Sequence, residues 1–243
     1  MKNIVIAAGY ATRLGELTKN YPKPLLKIGS TTILGRMLDD IDPIPGITEH
    51  IIVTNHKFIG NFKKWAAEQS YSKPITIVDD GTETNGTRLG AVCDLLLAID
   101  KLNIDDDILV VAADNLLFFS FKDFIQFAKE KQSSCIMCHK QPDIEKLRRT
   151  GVITVDEQMK VMEMEEKPEH PKSNLAVPPF YIYLKKDINL VRNSVENGCG
   201  KDAPGNLANY MVKKTDIYAW PMNGGRFDIG SIDTYKQACE LFG

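Results

Sequence analysis

Short, nearly unbroken apolar runs recur along the chain as NIVIAA, HIIVTN, PITIVDD, DILVVAAD and SCIMCHK. They are rich in β-branched residues, and apolarity without alternation marks strands covered on both faces. Between them FIGNFKKWAAEQ, RLGAVCDLLLAID and FKDFIQFAKEK place apolar residues at helical spacing. Strand and helix alternating in this way predict right-handed crossovers and a three-layer α/β/α fold around a mostly parallel central sheet. After Lys140 the pattern changes. GVITVDEQMKVMEMEEKP predicts a small β-hairpin that turns at Asp156-Glu157-Gln158 and ends its second strand at Pro168. AVPPFYIYL predicts a strand interrupted by a proline pair, DIYAWPM another strand, and helices are expected near 187–196, 206–213 and 232–241.

No repeat, low-complexity tract or linker divides the 243 residues, a length that one core can organise, so a single domain over 1–243 is expected. With 30 Lys and Arg against 32 Asp and Glu, the net charge of -2 gives no broad cationic field for nucleic acid or anionic membrane. Any phosphate chemistry must then come from a local site. The opening MKNIVIAAGYATRLG is too short an apolar run for a signal peptide, and no stretch approaches the roughly 20 apolar residues of a membrane span, so a cytoplasmic location is expected. Five scattered cysteines read as reduced thiols. Cys135 and Cys138 form a CxxC inside an apolar strand that would turn them to opposite faces, which favours core packing. The four histidines show no metal-ligand spacing, and no nucleophile elbow is present. Nothing in the pattern sets the oligomeric state.

The most informative stretch is IVIAAGYATRLGELTKNYPKPLL. A buried strand runs into Ala7, Ala8, Gly9 and Ala11, whose small side chains let successive backbone N–H groups approach a phosphate chain. Arg13 can grip phosphate oxygens bidentately, and Pro22 and Pro24 restrict the backbone that carries Lys23. GYATRLG departs from the dinucleotide fingerprint, and no GK[ST] follows to make a Walker loop.

Asp114 and Asn115 close the strand DILVVAAD, at the end where open α/β sheets place ligands. Asp114 there can hold a cation or cap the next helix. Asp228 in GGRFDIGSIDTY is a second carboxylate in a glycine-flanked segment. In MEMEEKPEHPKSNLAV two acids precede a lysine and a proline; a carboxylate there can accept hydrogen bonds from adjacent hydroxyls and the lysine can neutralise a phosphate, although a solvated charge cluster has the same composition. DDGTETNGTRLG offers glycine backbone and an arginine for hydrogen bonds to a ligand, or a flexible turn before a helix.

The first of these runs resembles the GxGTRLxxLTxxxPKPLL pattern of the sugar-phosphate nucleotidylyltransferases, typified by glucose-1-phosphate thymidylyltransferase, with Ala11 in place of the second glycine. AADN is similar to that family's GDN, and EEKP followed by PKSN also recurs in it. The resemblance implies a Rossmann-like nucleotide-diphospho-sugar transferase fold, with a nucleotide-binding half over 1–140 and an acceptor-binding half over 141–243. It implies a nucleoside triphosphate and a sugar 1-phosphate as substrates, an NDP-sugar and pyrophosphate as products, and Mg2+ as cofactor. Ala8, Gly9, Tyr10, Ala11 and Thr12 would line the triphosphate, with Gly81, Arg88, Leu89 and Gly90 at the base. Arg13, Lys23 and Lys167 would be catalytic, and Asp114 and Asp228 would hold the metal. Asn115, Gly151, Glu166, Lys167 and Val177 would meet the acceptor. Pro178-Pro179 stand where relatives carry Thr-Gly, and GKDAPGNLANYM where they carry an acidic segment with an Arg; Lys201 and Asp202 can replace some of those contacts. A cytidylyltransferase for a non-sugar phosphate or phosphonate, and a non-catalytic nucleotide-sugar sensor, are the alternatives.

Overall fold

The computed structural model describes all residues, 1–243. They form two compact units, each assembled from separated stretches of chain. One holds Lys2–Arg88, Ala112–Phe121 and Asn223–Gly243, and the other Met1, Leu89–Val111 and Lys122–Met222.

In the first unit the strands Lys2–Ile6, Glu49–Thr54 and Ile75–Asp79 pair in parallel, with Ile4 opposite Ile51 and Ile51 opposite Thr76. This is the parallel sheet expected from the apolar runs. Parallel strands need a crossover, and the helix Ile59–Ala67 supplies one, burying Phe62 and Trp65. A further helix, Ile33–Ile41, stands on a segment for which no element is expected above. Thr32 caps it by accepting from Gly35 N at 2.9 Å, and Ile33, Leu34, Met37, Leu38 and Ile41 form its buried face. The last helix, Ile232–Phe242, begins with a capping box between Ser231 and Thr234. Its Tyr235, Cys239 and Phe242 pack on a cluster of Leu14, Leu26, Ile28, Ile33, Leu116 and Ile229. GGRFDIG is extended where it could have been only a turn: Gly225–Asp228 pairs antiparallel with Asn115–Phe118.

His50 is fully buried in this unit. Asn3 Nδ2 lies 3.0 Å from its Nδ1, and its Nε2 lies 3.2 Å from Asp42 Oδ1. The amide and hydroxyl of Ser72 and the amide of Lys73 also reach the Asp42 carboxylate. Although burial opposes it, these donors hold the Asp42 pKa at about 2. The histidine is structural.

The second unit contains a mixed sheet. Val161–Glu166, Gly151–Val155, Leu175–Val177, Ser134–Lys140, Phe180–Tyr183 and Ile108–Ala112 follow one another antiparallel, while Ile217–Pro221 runs parallel to Ser134–Lys140. The hairpin forms as expected, and Asp156 closes its turn by accepting from Gln158 N and Lys160 N at 2.9 and 2.8 Å. Proline lacks the N–H a ladder needs, so Pro178-Pro179 splits AVPPFYIYL into Leu175–Val177 and Phe180–Tyr183. Cys135 and Cys138 lie in the core, where burial raises their thiol pKa values to about 12 and about 11. No helix is long and apolar enough to cross a membrane.

Candidate functional site

The first strand delivers the chain into Ala7–Ala11. Ala7 N still bonds Val53 O at 2.9 Å, and the Ala8 carbonyl accepts from Asn55 Nδ2 at 3.0 Å. A Cβ on Gly9 would meet nothing within 4 Å. Gly9 therefore keeps open space clear, in a cavity of about 190 Å³ lined also by Ala11, Arg13, Lys23, Ala113 and Asp114.

Ala11 takes the left-handed conformation, φ 46°, which explains why a glycine suits this position. The Thr18 hydroxyl bonds its carbonyl at 2.9 Å, and Ala11 itself packs on the Leu14–Leu26–Ile229 cluster. An alanine in this conformation costs roughly 1 kcal/mol. Its methyl contact and the lower entropy of its unfolded chain offset much of that. Ala11→Gly is thus expected to stay within about 1 kcal/mol of the parent in urea unfolding. Ala11→Val, β-branched at positive φ, should lose about 2 kcal/mol or more.

Pro22 and Pro24 flank Lys23 in a short 3-10 turn, and the buried lysine places Nζ 3.4 Å from Asp114 Oδ2. The other Asp114 oxygen accepts from Asn115 Nδ2 at 2.6 Å, and Asn115 Oδ1 accepts from Arg226 Nη1, also at 2.6 Å. Cross-strand pairing sets Asp228 opposite Asn115, and Ile229 N bonds the Asp114 carbonyl at 3.1 Å. The Asp228 pKa is raised, first by partial desolvation and then by the charge of Asp114, against the opposing pull of Lys23, Arg226 and Arg13. Arg13, Lys23, Asp114 and Asp228 thus share one electrostatic neighbourhood. No group of three or more His, Cys, Asp or Glu side chains gathers to cage a metal ion. A pair of mutually repelling carboxylates beside an open cavity suits a hard divalent cation that takes its remaining ligands from phosphate and water.

Asp79–Arg88 lies in the same unit as this loop. The hydroxyls of Tyr10 and Thr82 are 3.0 Å apart, and Thr82 Oγ1 donates to Asp80 Oδ2 at 3.0 Å, which ties the two segments together. Gly81 has φ 76°, with its N–H bonded to Asp79 Oδ1 at 2.9 Å, and Arg88 Nη1 reaches Asn85 O at 3.1 Å. Leu89 and Gly90 fall in the other unit, where Leu89 is exposed. At Gly90, φ is 94° and a Cβ would stand 2.5 Å from Lys201 O. Ala91 N and Val92 N donate to the carbonyls of Asp202 and Lys201, both at 3.0 Å, so those two residues cap the helix Ala91–Lys101 through their backbone.

Gly151, Glu166 and Val177 stand in one row of the second unit's sheet, because both Glu166 and Val177 pair with Gly151. Lys167 follows at φ 52°, its N–H held by Thr150 O at 3.1 Å and its Nζ 3.9 Å from Glu166 Oε1. Burial raises the Glu166 pKa, opposed by Lys167. Asn115 lies in the first unit, where its side-chain amide is engaged by Asp114 and Arg226. Arg226 and the Tyr10–Thr82 link are absent from the sequence-derived set. Alternation along GRFD does place Arg226 two residues before Asp228, hence on the same face.

A loop of small residues beside two cations and two carboxylates therefore defines the candidate site. The chain belongs to the nucleotidyl transferase family, which it matches over residues 2–242. It is 26% identical to glucose-1-phosphate adenylyltransferase of Fervidobacterium nodosum, over 97% of this chain and 60% of that protein. It is 29% identical to the protein of the same name from Clostridium novyi, over 98% of this chain and 65% of that one. The chain thus spans less than two thirds of the length of these relatives. Among solved structures it resembles UDP-glucose pyrophosphorylase complexed with UDP-glucose, with a TM-score of 0.84 at 22% identity over 99% of this chain and 97% of that one. It also resembles a putative glucose-1-phosphate thymidylyltransferase from Bacillus anthracis in complex with a sucrose, with a TM-score of 0.80 at 24% identity over 99% and 94%. The fold is the nucleotide-diphospho-sugar transferase fold; the strands of the first unit pair in parallel, and the second unit has a mixed sheet of its own.

Proposed function

We propose that the chain is a sugar-1-phosphate nucleotidylyltransferase that condenses a nucleoside triphosphate with a sugar 1-phosphate to give an NDP-sugar and pyrophosphate. The observation that carries this reading is the convergence of Arg13, Lys23, Asp114 and Asp228 at the end of the Ala7–Ala11 loop. The acceptor's phosphate oxygen attacks the α-phosphorus in line and pyrophosphate departs, so no enzyme group is modified. Catalysis of this kind rests on positioning and charge neutralisation. Backbone N–H groups of Ala8–Thr12 receive the triphosphate, Arg13 faces the departing phosphates, and Lys23 opposes charge that develops at the α-phosphoryl group. Asp114 and Asp228 would hold Mg2+, which would supply divalent charge to that neutralisation.

Gly81, Arg88, Leu89 and Gly90 border the base. Glu166 accepts from sugar hydroxyls, Lys167 meets the acceptor phosphate, and Gly151 and Val177 wall the acceptor. Residues 1–140 serve the nucleotide and 141–243 the acceptor within one catalytic domain working in the cytoplasm.

Pro178-Pro179 favours a second reading, a cytidylyltransferase for a non-sugar phosphate or phosphonate. Two backbone donors are missing there, and the Phe180 N–H is engaged by the Pro178 carbonyl at 2.7 Å. A pyrophosphate-release screen of ATP, UTP, dTTP, CTP and GTP against glucose 1-phosphate, other sugar 1-phosphates, phosphocholine and a phosphonate decides between them. Turnover with a sugar 1-phosphate is expected. Release only with CTP and a non-sugar acceptor selects the second reading, and no release with any pair points to a nucleotide-sugar sensor.

A further inference from the structure

Glu166 is held unusually for a carboxylate. Its side chain is 15% exposed, no backbone or side-chain donor hydrogen-bonds to it, and Lys167 Nζ stands off at 3.9 Å. A carboxylate so placed is an acceptor waiting for donors, which a polyhydroxyl ligand brings. Two glycines make its berth. A Cβ built on Gly151 would stand 2.5 Å from Met164 Cε and 3.3 Å from Glu166 Oε2, and one on Gly205 1.9 Å from the same oxygen, 2.9 Å from Cδ and 3.2 Å from Met164 Cε. Gly205 lies in the first turn of the helix Pro204–Val212, where Pro204 is the first residue and Gly205 is buried.

Glycine disfavours a helix relative to alanine. Its φ is not in the left-handed range at position 205, so the backbone itself would accept alanine. Helix stability therefore gives no reason for glycine here, whereas the approach of the carboxylate does. We infer that Gly205 is a positioning residue for the acceptor: its missing side chain seats the Glu166 carboxylate against the first turn of the helix, and so fixes where acceptor hydroxyls are received. This rests on the reading of Glu166 as the acceptor's hydroxyl-binding group.

Because the group in the way is the far end of a flexible side chain, a methyl at 205 displaces the carboxylate rather than the fold. Aspartate at 166 is one methylene shorter and leaves room for that methyl. The test uses the full chain as Gly205→Ala, Glu166→Asp, Glu166→Gln and the Gly205→Ala/Glu166→Asp double variant. Pyrophosphate release is measured with glucose 1-phosphate and the nucleotide preferred in the screen, together with melting temperatures and a crystal structure of Gly205→Ala.

Gly205→Ala is expected to raise the KM for glucose 1-phosphate about tenfold or more, with the nucleotide KM within about twofold and the melting temperature undiminished. The crystal structure should show the carboxylate moved. On the Glu166→Asp background the same substitution should add little, a non-additivity that a purely structural role would not produce. A silent Gly205→Ala beside an impaired Glu166→Gln overturns this inference alone, as does a carboxylate that has not moved or a penalty that persists in full on the Glu166→Asp background. A silent Glu166→Gln overturns the underlying reading, and the inference with it.

Discussion

Asp228→Asn is expected to lower pyrophosphate release by about 10²-fold or more at limiting magnesium, while the metal-free protein melts no lower than the parent. The two effects share one cause. The fold raises the Asp228 pKa through partial desolvation and the nearby Asp114 charge. A carboxyl with a raised folded pKa binds protons more readily folded than unfolded, so its ionised form works against stability once the pH exceeds the unfolded value. Asparagine removes that penalty together with one anionic metal ligand. The variant should regain part of its turnover as magnesium is raised, whereas a loosened fold would not respond. A magnesium titration and thermal melts in chelator measure both halves. Parent-level turnover at limiting magnesium, or a melting temperature that falls along with turnover, would show that Asp228 has a different task.

Much of the chain up to Lys131 was legible because its signals are local. The strands at Lys2–Ile6, Glu49–Thr54 and Ile75–Asp79 and the helices Ile59–Ala67, Ala91–Lys101 and Phe121–Lys131 fall on runs whose periodicity needs no knowledge of a partner. The helix Ile33–Ile41 carried a comparable signal, with apolar residues at 33, 34, 37, 38 and 41, but in only nine residues directly after two two-residue strands. The ribbon of Asn115–Phe118 with Gly225–Asp228 is of another kind. Each strand has four residues, and the register that pairs Asp228 with Asn115 joins positions more than a hundred residues apart. No periodicity within a window can report that pairing.

The site divides along the same line. Arg13 and Lys23 could be proposed from residue type and order, and Asp114 and Asp228 from the family resemblance; the structure gathers the four. What Asn115 touches depends on its cross-strand neighbour Arg226, and Tyr10 meets Thr82 across 72 positions, so both contacts needed the fold. The second unit's sheet is largely antiparallel for a related reason. A turn as short as Asp156–Lys160 can return a strand only antiparallel, since a parallel return takes a crossover of a dozen or more residues. Lys201 and Asp202 add a contact made by their backbone, which residue type does not announce. Their carbonyls meet Ala91 and Val92, and the approach is close enough that Gly90 must lack a side chain.

Lys23→Met should also reduce turnover by about 10²-fold or more, but with the opposite magnesium response to Asp228→Asn. The buried Lys23 ammonium sits 3.4 Å from Asp114 Oδ2, held there by a turn with proline on either side. With no divalent ion bound, it is the cation closest to that carboxylate oxygen, and it competes with a metal for the same charge. Methionine keeps the apolar stem and its packing but removes the charge, leaving Asp114 and Asp228 to repel one another with less compensation. Magnesium should then bind at least as tightly, so half-maximal activity is reached at an equal or lower concentration. Maximal turnover falls nonetheless, because charge that develops at the α-phosphoryl group loses its fixed partner and additional magnesium cannot occupy the lysine's position. The pair of titrations therefore separates holding the metal from stabilising the transferred group. If both substitutions raised the magnesium requirement alike, Lys23 would be acting by shaping the metal site rather than by meeting the phosphoryl group.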